Sequence, residues 1–343
     1  MLKTLGKNPS GKRLEETQQS ANYKNGAFSN QSPTEVTLKD ATMVKMMREY
    51  SKRPKDTAPP KAIPFVTTNL KTLDADKPTI VWFGHSSYLI KSQGVSILVD
   101  PVFSGSASPF SFFAKAFDGA DNYGVNDFDT IDVLLLTHDH YDHLDYKTVT
   151  ALAPKVKQIC TSLGVASHLE YWGIPAAKIT ELDWWQEGFF ANDITLTATP
   201  ARHFSGRSFK RAQTLWSSFV LNLHGYTLYL GGDSGYDSHF KIIGDKFGGF
   251  DVALLENGQY GKNWPYIHML PEQTLQAAND LGTKVLMPVH WAKFTLGLHP
   301  WNEPIKRLIA AKETCRAQIT TPQIGEPVVL NQSLPNSTWW EFE

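Results

Sequence analysis

The sequence predicts an α/β protein of the α+β kind: two mixed β-sheets packed face to face, with helices outside. Three observations lead there. Short β-rich runs and hairpins come first, helical segments are then interspersed among strands, and a second, similar set of elements follows. At 343 residues the chain is long enough for a sizeable core. No short-period repeat suggests a solenoid.

Residues 1–38 are rich in Lys, Asn, Gln, Ser and Gly and read as an extended lead-in with little to stabilise it by itself. Ala41–Tyr50 is a short helical candidate. Pro54, Pro59, Pro60 and Pro64 follow. Proline fixes φ and removes a donor, so this stretch reads as a linker or a strap across a surface. From residue 78 the texture changes. Thr79–Phe83, Ser87–Ile90 and Val95–Val99 are strands punctuated by Gly84 and the turn at Ser92–Gly94. Ile131–Leu136 is a strongly apolar strand, Tyr146–Leu152 a helix, Val156–Cys160 a strand and Val165–Trp172 a helix. Ile194–Ala198 alternates as a strand, and Ser217–Leu223 with Tyr226–Leu230 forms a hairpin around His224–Gly225. His239–Phe247, Pro271–Leu281 and Glu303–Arg316 are helical, with Val252–Glu256 and Lys284–Val289 as strands between them. No linker divides the later chain. Residues 1–77 are therefore an N-terminal extension and strap, and residues 78–343 one catalytic domain.

Composition narrows the function. With 41% hydrophobic and 20% charged residues the chain is an ordinary globular one, not a disordered one. The formal net charge of -1 offers no general electrostatic grip on nucleic acid or anionic lipid; a local basic patch does not show in the total and stays open. The two cysteines, Cys160 and Cys315, form no CxxC pair, so a disulfide scaffold or a thiolate zinc site is not expected. The basic, polar N-terminus lacks the apolar stretch of a signal peptide, and no run approaches a membrane span, so the expected location is cytoplasmic.

The decisive stretch is Val133-Leu-Leu-Leu-Thr-His-Asp-His-Tyr-Asp-His143, an apolar strand running into three imidazoles and two carboxylates. Imidazole and carboxylate are ligands of zinc and similar cations. His138 and His140 are two apart, so on an extended segment they point to the same side. Asp142 and His143 follow after the chain turns. His203, Asp233 and His290 each come just past an expected strand. We assign His138, His140 and His203 to one cation and Asp142, His143 and His290 to a second, with Asp233 bridging both. Two divalent cations make a site that activates water: a cation lowers the pKa of bound water towards about 7, and a pair of them can share a hydroxide. Hydrolysis is the expected reaction, with zinc favoured and iron or manganese also accepted by such ligands.

Around these, His85 is expected to orient a ligand or touch substrate, or else to be a satisfied structural histidine, and Asp100 to brace a metal-bound imidazole. Asp139 could do the same or be solvated. His268 lies in a loop with Tyr260, Trp264 and Tyr266 that could wall the cleft; it is a candidate substrate contact or proton donor to the leaving group, with Tyr266 beside it. Asp142, Asp233 and His268 are the residues expected to act in the reaction. His168, His224, His239 and His299 read as structural. The apolar segment 109–117 reads as core packing, with a lid, an acyl-chain contact or a membrane-facing patch as alternatives.

His-Asp-His-Tyr-Asp-His resembles the HxHxDH signature of metallo-β-lactamase fold hydrolases, with His203, Asp233 and His290 matching the family's later ligands in order. The resemblance, over roughly residues 78–300, implies a four-layer αβ/βα sandwich with a dinuclear, usually zinc, site at one edge. Trp82-Phe-Gly-His-Ser-Ser87, Asp100-Pro-Val-Phe103, Pro200-Ala-Arg-His-Phe-Ser-Gly-Arg207, Gly232-Asp-Ser-Gly-Tyr236 and Val289-His-Trp291 are similar to the N-acylphosphatidylethanolamine phospholipase D-like bacterial proteins, as is the lead-in from Gly6. Arg202 departs from the Gln of many relatives. That branch implies cleavage of a phosphodiester, of which a phospholipid is one example, and a small-molecule or lipid substrate. The alternatives are a lactonase or other carboxylic ester or amide hydrolase, and a non-catalytic metal-containing binding protein; the complete ligand set argues against the last.

Overall fold

Runs of β-branched and aliphatic residues build two seven-stranded sheets, because side chains in the central strands find apolar partners on both faces. The computed structural model describes residues 2–190 and 194–341. A two-stranded hairpin, β1 (Tyr23–Lys24) and β2 (Ala27–Phe28), precedes the sheets. The first sheet holds β3 (Thr79–Trp82), β4 (Tyr88–Ser92), β5 (Val95–Val99), β6 (Ile131–Leu136), β7 (Val156–Ser162) and β8 (Ile179–Leu182). The second holds β9 (Glu187–Phe190), β10 (Ile194–Thr199), β11 (Ser218–Leu223), β12 (Tyr226–Leu230), β13 (Phe250–Glu256), β14 (Thr283–Val289) and β15 (Gln318–Ile319). The last strand, β16 (Pro327–Val329), returns to the first sheet and pairs antiparallel with β3.

The strand orders are β16-β3-β4-β5-β6-β7-β8 and β15-β14-β13-β12-β11-β10-β9. Each sheet is antiparallel in one part and parallel in the other. One contiguous core joins them, with Leu98 and Leu135 from the first sheet and Phe219, Leu254 and Met287 from the second. Helices α1 (Lys12–Gln18), α2 (Met43–Ser51), α3 (Tyr146–Leu152), α4 (Ala166–Tyr171), α5 (His239–Phe247), α6 (Pro271–Leu281) and α7 (Glu303–Ala310) complete the chain. This is the expected sandwich of two mixed sheets with helices. Among the described residues no helix is long and apolar enough to cross a membrane.

The pairing directions position the site. Strands β3, β5 and β6 run one way, as do β10, β12, β13 and β14. The candidate ligands sit past the C-terminal ends of these strands. At this edge the backbone of His85 donates to Trp291 O (2.8 Å) and that of His290 donates to His85 O (2.9 Å), stitching one sheet to the other.

Several expectations change. The lead-in is not merely extended: it forms α1 and the β1–β2 hairpin and is docked on the rest of the chain. Arg13 reaches Glu170 (2.6 Å) and Glu181 (2.8 Å), and Phe28 is buried in a satellite cluster with Trp184, Leu215 and Trp216. The predicted helix at 303–316 stops at Ala310; a 3-10 turn at Lys312–Thr314 follows, and the Asn279 side chain then donates to Thr314 O and accepts from Arg316 N. The segment 109–117 is not core: Phe110, Phe112 and Phe113 are exposed. A bridge between Ser106 and Lys115 sends Ala107 and Ala114 inward, against Val102 and Phe294, and leaves the tip of the turn outside.

Candidate metal centre

Beyond β6 the segment 137–143 folds back on itself, with His143 N and Leu144 N both donating to His140 O. That turn brings His138 and His140 together with His203, past β10, and Asp233, past β12; one donor atom from each lies within 4.8 Å of the others. His138 Nε2 stands 2.9 Å from His140 Nδ1, and His203 Nε2 stands 3.2 Å from the same atom. Nitrogens bound tetrahedrally to one zinc at about 2.05 Å would be about 3.3 Å apart. The three rings therefore already hold close to the spacing one cation imposes.

The second group is His85, Asp142, His143 and His290. His143 Nε2 lies 3.5 Å from Asp142 Oδ2 and 3.2 Å from Asp233 Oδ1, and His290 Nδ1 lies 3.1 Å from Asp233 Oδ1. Asp233 thus faces both groups, its Oδ2 being 3.7 Å from His203 Nε2. His143 Nε2, His290 Nε2 and Asp233 Oδ1 are buried without a hydrogen-bond partner. Buried polar atoms left bare are costly. Converging here, they make a donor set that fits divalent cations.

Neighbours hold these rings in place. Asp100, after β5, accepts from Thr137 N (2.9 Å), Thr137 Oγ1 (2.6 Å) and His143 Nδ1 (2.8 Å). His203 Nδ1 donates to Ile267 O (2.9 Å), which turns Nε2 towards the cluster. Ser86 Oγ meets His290 Nδ1 (2.9 Å), and His85 Nε2 meets Asp142 Oδ2 (2.9 Å). His85, Asp100 and His290 all have positive φ (52°, 40° and 67°), a backbone strain that tends to collect at functional sites. Electrostatics follows from crowding. Burial depresses His138, His203 and His290 well below the ordinary histidine range. Burial also opposes charge on His143, but Asp233, Asp142 and Asp100 outweigh it and raise this ring well above that range.

His268 lies beside this centre. Its Nδ1 is 2.6 Å from Glu256 Oε2, at the end of β13. Burial works against its charge, yet Glu256 and Asp233 prevail and lift His268 to about 9. Burial lifts Glu256 above the usual carboxylate range while His268 pulls it back. A cavity of about 260 Å³ is lined by His140, Asp142, His203, Asp233, His268 and His290, with Met46 of α2 and Arg211 among its other walls. Val36 and Thr37, just before α2, also line it, so the N-terminal extension helps enclose the site.

Other candidates stand apart. Tyr266 does not join the donor cluster; it is exposed, with the Arg202 guanidinium 5.0 Å from its ring centre. Asp139 is neither solvated nor turned to the cluster: it is buried and accepts from Gly206 N and Thr214 Oγ1, with His168 Nε2 at 3.1 Å. His168 also accepts from Lys7 N, and His239 meets Ser234 Oγ, both structural contacts. Sequence reasoning missed Glu256 and Asn30. The Asn30 side chain grips both backbone groups of His203, accepting from its N (3.0 Å) and donating to its O (2.8 Å). An Asn in a polar lead-in carries no signal of that; a Glu closing an apolar strand does carry one. Arg202 binds Thr34 Oγ1 and Pro33 O, so it clamps the extension instead of facing the cavity.

A sequence profile described as a beta-lactamase superfamily domain matches residues 96–291. An uncharacterised protein of Mycobacterium tuberculosis is 37% identical over 331 residues, which cover 95% of this chain and 89% of that one. The N-acyl-phosphatidylethanolamine-hydrolyzing phospholipase D 1 of Caenorhabditis elegans is 30% identical over 264 residues, 71% of this chain and 74% of that one. Among solved structures, the metallo hydrolase Igni18 of Ignicoccus hospitalis aligns with a TM-score of 0.55 at 20% identity, covering 75% of this chain and 100% of that one. Fold, histidine and aspartate clusters and these likenesses agree: the chain belongs to the metallo-β-lactamase fold metal-dependent hydrolases, in the branch of the N-acylphosphatidylethanolamine phospholipases D.

Proposed function

We propose that the protein is a phosphodiesterase of phospholipase D type working with two divalent cations. His138, His140 and His203 would hold one, Asp142, His143 and His290 the other, and Asp233 would serve both. The observation that carries this reading is the convergence of seven donors with three buried atoms left bare, at the edge where the two sheets meet. When bound, the cations supply Lewis acidity and bring the pKa of water towards about 7. Zinc suits this donor set best, with iron and manganese as alternatives.

The chain's own residues do the rest. Asp100 keeps the proton of His143 on Nδ1 and frees Nε2 to act as a ligand. His85 Nε2 donates to Asp142 Oδ2 and Ser86 Oγ meets His290 Nδ1, contacts that fix the orientation of both side chains. Glu256 holds Nδ1 of His268, which leaves His268 Nε2 to donate a proton to the departing alkoxide. Arg211, on the cavity wall, offers positive charge to a phosphodiester anion. That cation, and the phosphodiesterase named among the relatives at 30% identity, favour a phosphodiester over a lactone.

The test measures metal content and turnover together on a panel of phosphodiesters, N-acylphosphatidylethanolamine and lactones. Two metals per chain and cleavage of phosphodiesters, abolished by chelation and restored by zinc, are expected. Metal-loaded protein that leaves every phosphodiester intact but opens lactones would replace this reading. His268→Ala should keep its metals and lose roughly 100-fold or more in turnover. Full activity with normal metal loading would remove His268 from the mechanism.

A further inference from the structure

Helix α2 has two contrasting sides. Inward, Met46 lines the metal-site cavity, Glu49 is tied to Lys262 (3.0 Å) and Asn263 (2.6 Å), and Tyr50 packs on Phe113 with ring centres 5.4 Å apart. Outward, Val44, Met47, Arg48 and Ser51 follow the three-and-four spacing of one helical face, and all are exposed. Val44 and Met47 are 77% and 67% exposed, and Phe112, next to Phe113, is 76% exposed. Phe110 and Phe112 lie 5.6 Å apart and extend the same apolar tip. Single exposed apolar residues are ordinary; several grouped beside a catalytic mouth mark a contact surface.

The charges beside this tip identify the partner. A cavity of about 660 Å³ lies against α2 and is lined by Lys45, Arg48, Lys52, Arg53 and Lys262 and by the carboxylate of Glu49; Asp40 pairs with Lys45 (3.0 Å) and Glu49 with Lys262 (3.0 Å), which leaves Arg48, Lys52 and Arg53 in excess. The chain as a whole carries a formal charge of -1, so this basic excess is local. Apolar tips interleaved with Lys and Arg are the composition that binds an anionic lipid–water interface: the apolar groups enter below the headgroups while the cations meet phosphate.

We propose that the outer face of α2 and the Phe110–Phe113 turn form a docking face for bilayers containing anionic phospholipid, seated beside the mouth of the candidate metal centre. The inference rests on the lipid phosphodiesterase reading for its purpose, since α2 lies between the membrane face and the cavity that Met46 lines. It does not rest on that reading for its evidence.

The experiment is flotation of the full metal-loaded chain with vesicles of phosphatidylcholine alone and of phosphatidylcholine with an equal part of phosphatidylglycerol. Binding at least about tenfold stronger to the anionic vesicles is expected, falling at high salt. Arg48→Glu with Lys52→Glu should remove that preference. Met47→Ser with Phe112→Ser should weaken binding to anionic vesicles at every salt concentration. These positions are exposed, so thermal melts should match the parent, and turnover of a soluble phosphodiester should not change. Vesicle binding unaltered by both pairs of substitutions, no binding at all, or a dimer that buries Met47 and Phe112 would each overturn the proposal. Cleavage of a soluble phosphodiester without vesicle binding would sink this inference and leave the function standing. Vesicle binding by a protein that cleaves no phosphodiester would do the reverse.

Discussion

Asp100→Asn isolates the bracing of His143, one of the proposed ligands, at a backbone position that asparagine also accepts. Asp100 has φ 40°, and asparagine tolerates this left-handed region as well as aspartate does. The carboxylate accepts three hydrogen bonds, from Thr137 N, Thr137 Oγ1 and His143 Nδ1, and donates none. Asparagine has one acceptor oxygen and a donating amide. If that oxygen stays with Thr137 N, the amide faces His143 Nδ1, which must then become an acceptor. The ring's proton moves to Nε2, the atom 3.2 Å from Asp233, and a protonated Nε2 cannot bind a cation. Removing such a bracing group weakens metal affinity by roughly 10–100-fold, or about 1.4–2.7 kcal/mol. The assay is competition with a chromophoric chelator, with stoichiometry read by native mass spectrometry. One metal should be lost at lower chelator than in the parent, while the cation proposed for His138, His140 and His203 is retained. A folded Asn variant that binds both metals as tightly as the parent would refute the reasoning.

Three further perturbations probe the frame around the site. Burial holds His239 down to about 4, below its unfolded value of 6.5, so folding favours the neutral ring; this stability is present above 6.5 and is lost as pH falls towards 4. Urea unfolding should show about 2 kcal/mol lost between roughly pH 7 and 5 from this group, and His239→Gln, which cannot titrate, should flatten that slope. A methyl on Gly235 would come 1.8 Å from Tyr266 O, so Gly235→Ala must push away the segment leading to His268. A destabilisation of roughly 1–3 kcal/mol is expected, with turnover falling further than metal content when both are measured. Arg13→Ala breaks the ion pairs to Glu170 and Glu181, the latter a buried carboxyl already pushed up to about 7, and should cost at least about 1.5 kcal/mol. Limited proteolysis should then cut the N-terminal segment first.

Local pattern made most elements legible. Ile131–Leu136, Tyr146–Leu152, Tyr226–Leu230 and Pro271–Leu281 are found with the expected bounds, since an apolar period or a proline at a helix start is a signal carried by neighbouring residues. Strands β15 and β16 were not legible. They are two or three residues long and exist only because β14 and β3 offer them an edge. The expectation for 109–117 failed because composition reports that phenylalanines are apolar, not whether a turn will point them outward.

For the candidate site, residue type and spacing alone nominated seven donors, because imidazoles and carboxylates clustered after an apolar strand have little other use. Folding settled the matters that depend on distance. It paired Glu256 with His268, placed Asp139 with His168 instead of with the donors, and set Asn30, 173 residues away in sequence, against His203. It also turned a polar lead-in into a wall of the cavity. Such contacts arise from strand order and loop closure across the whole chain, and no window of neighbouring residues contains them.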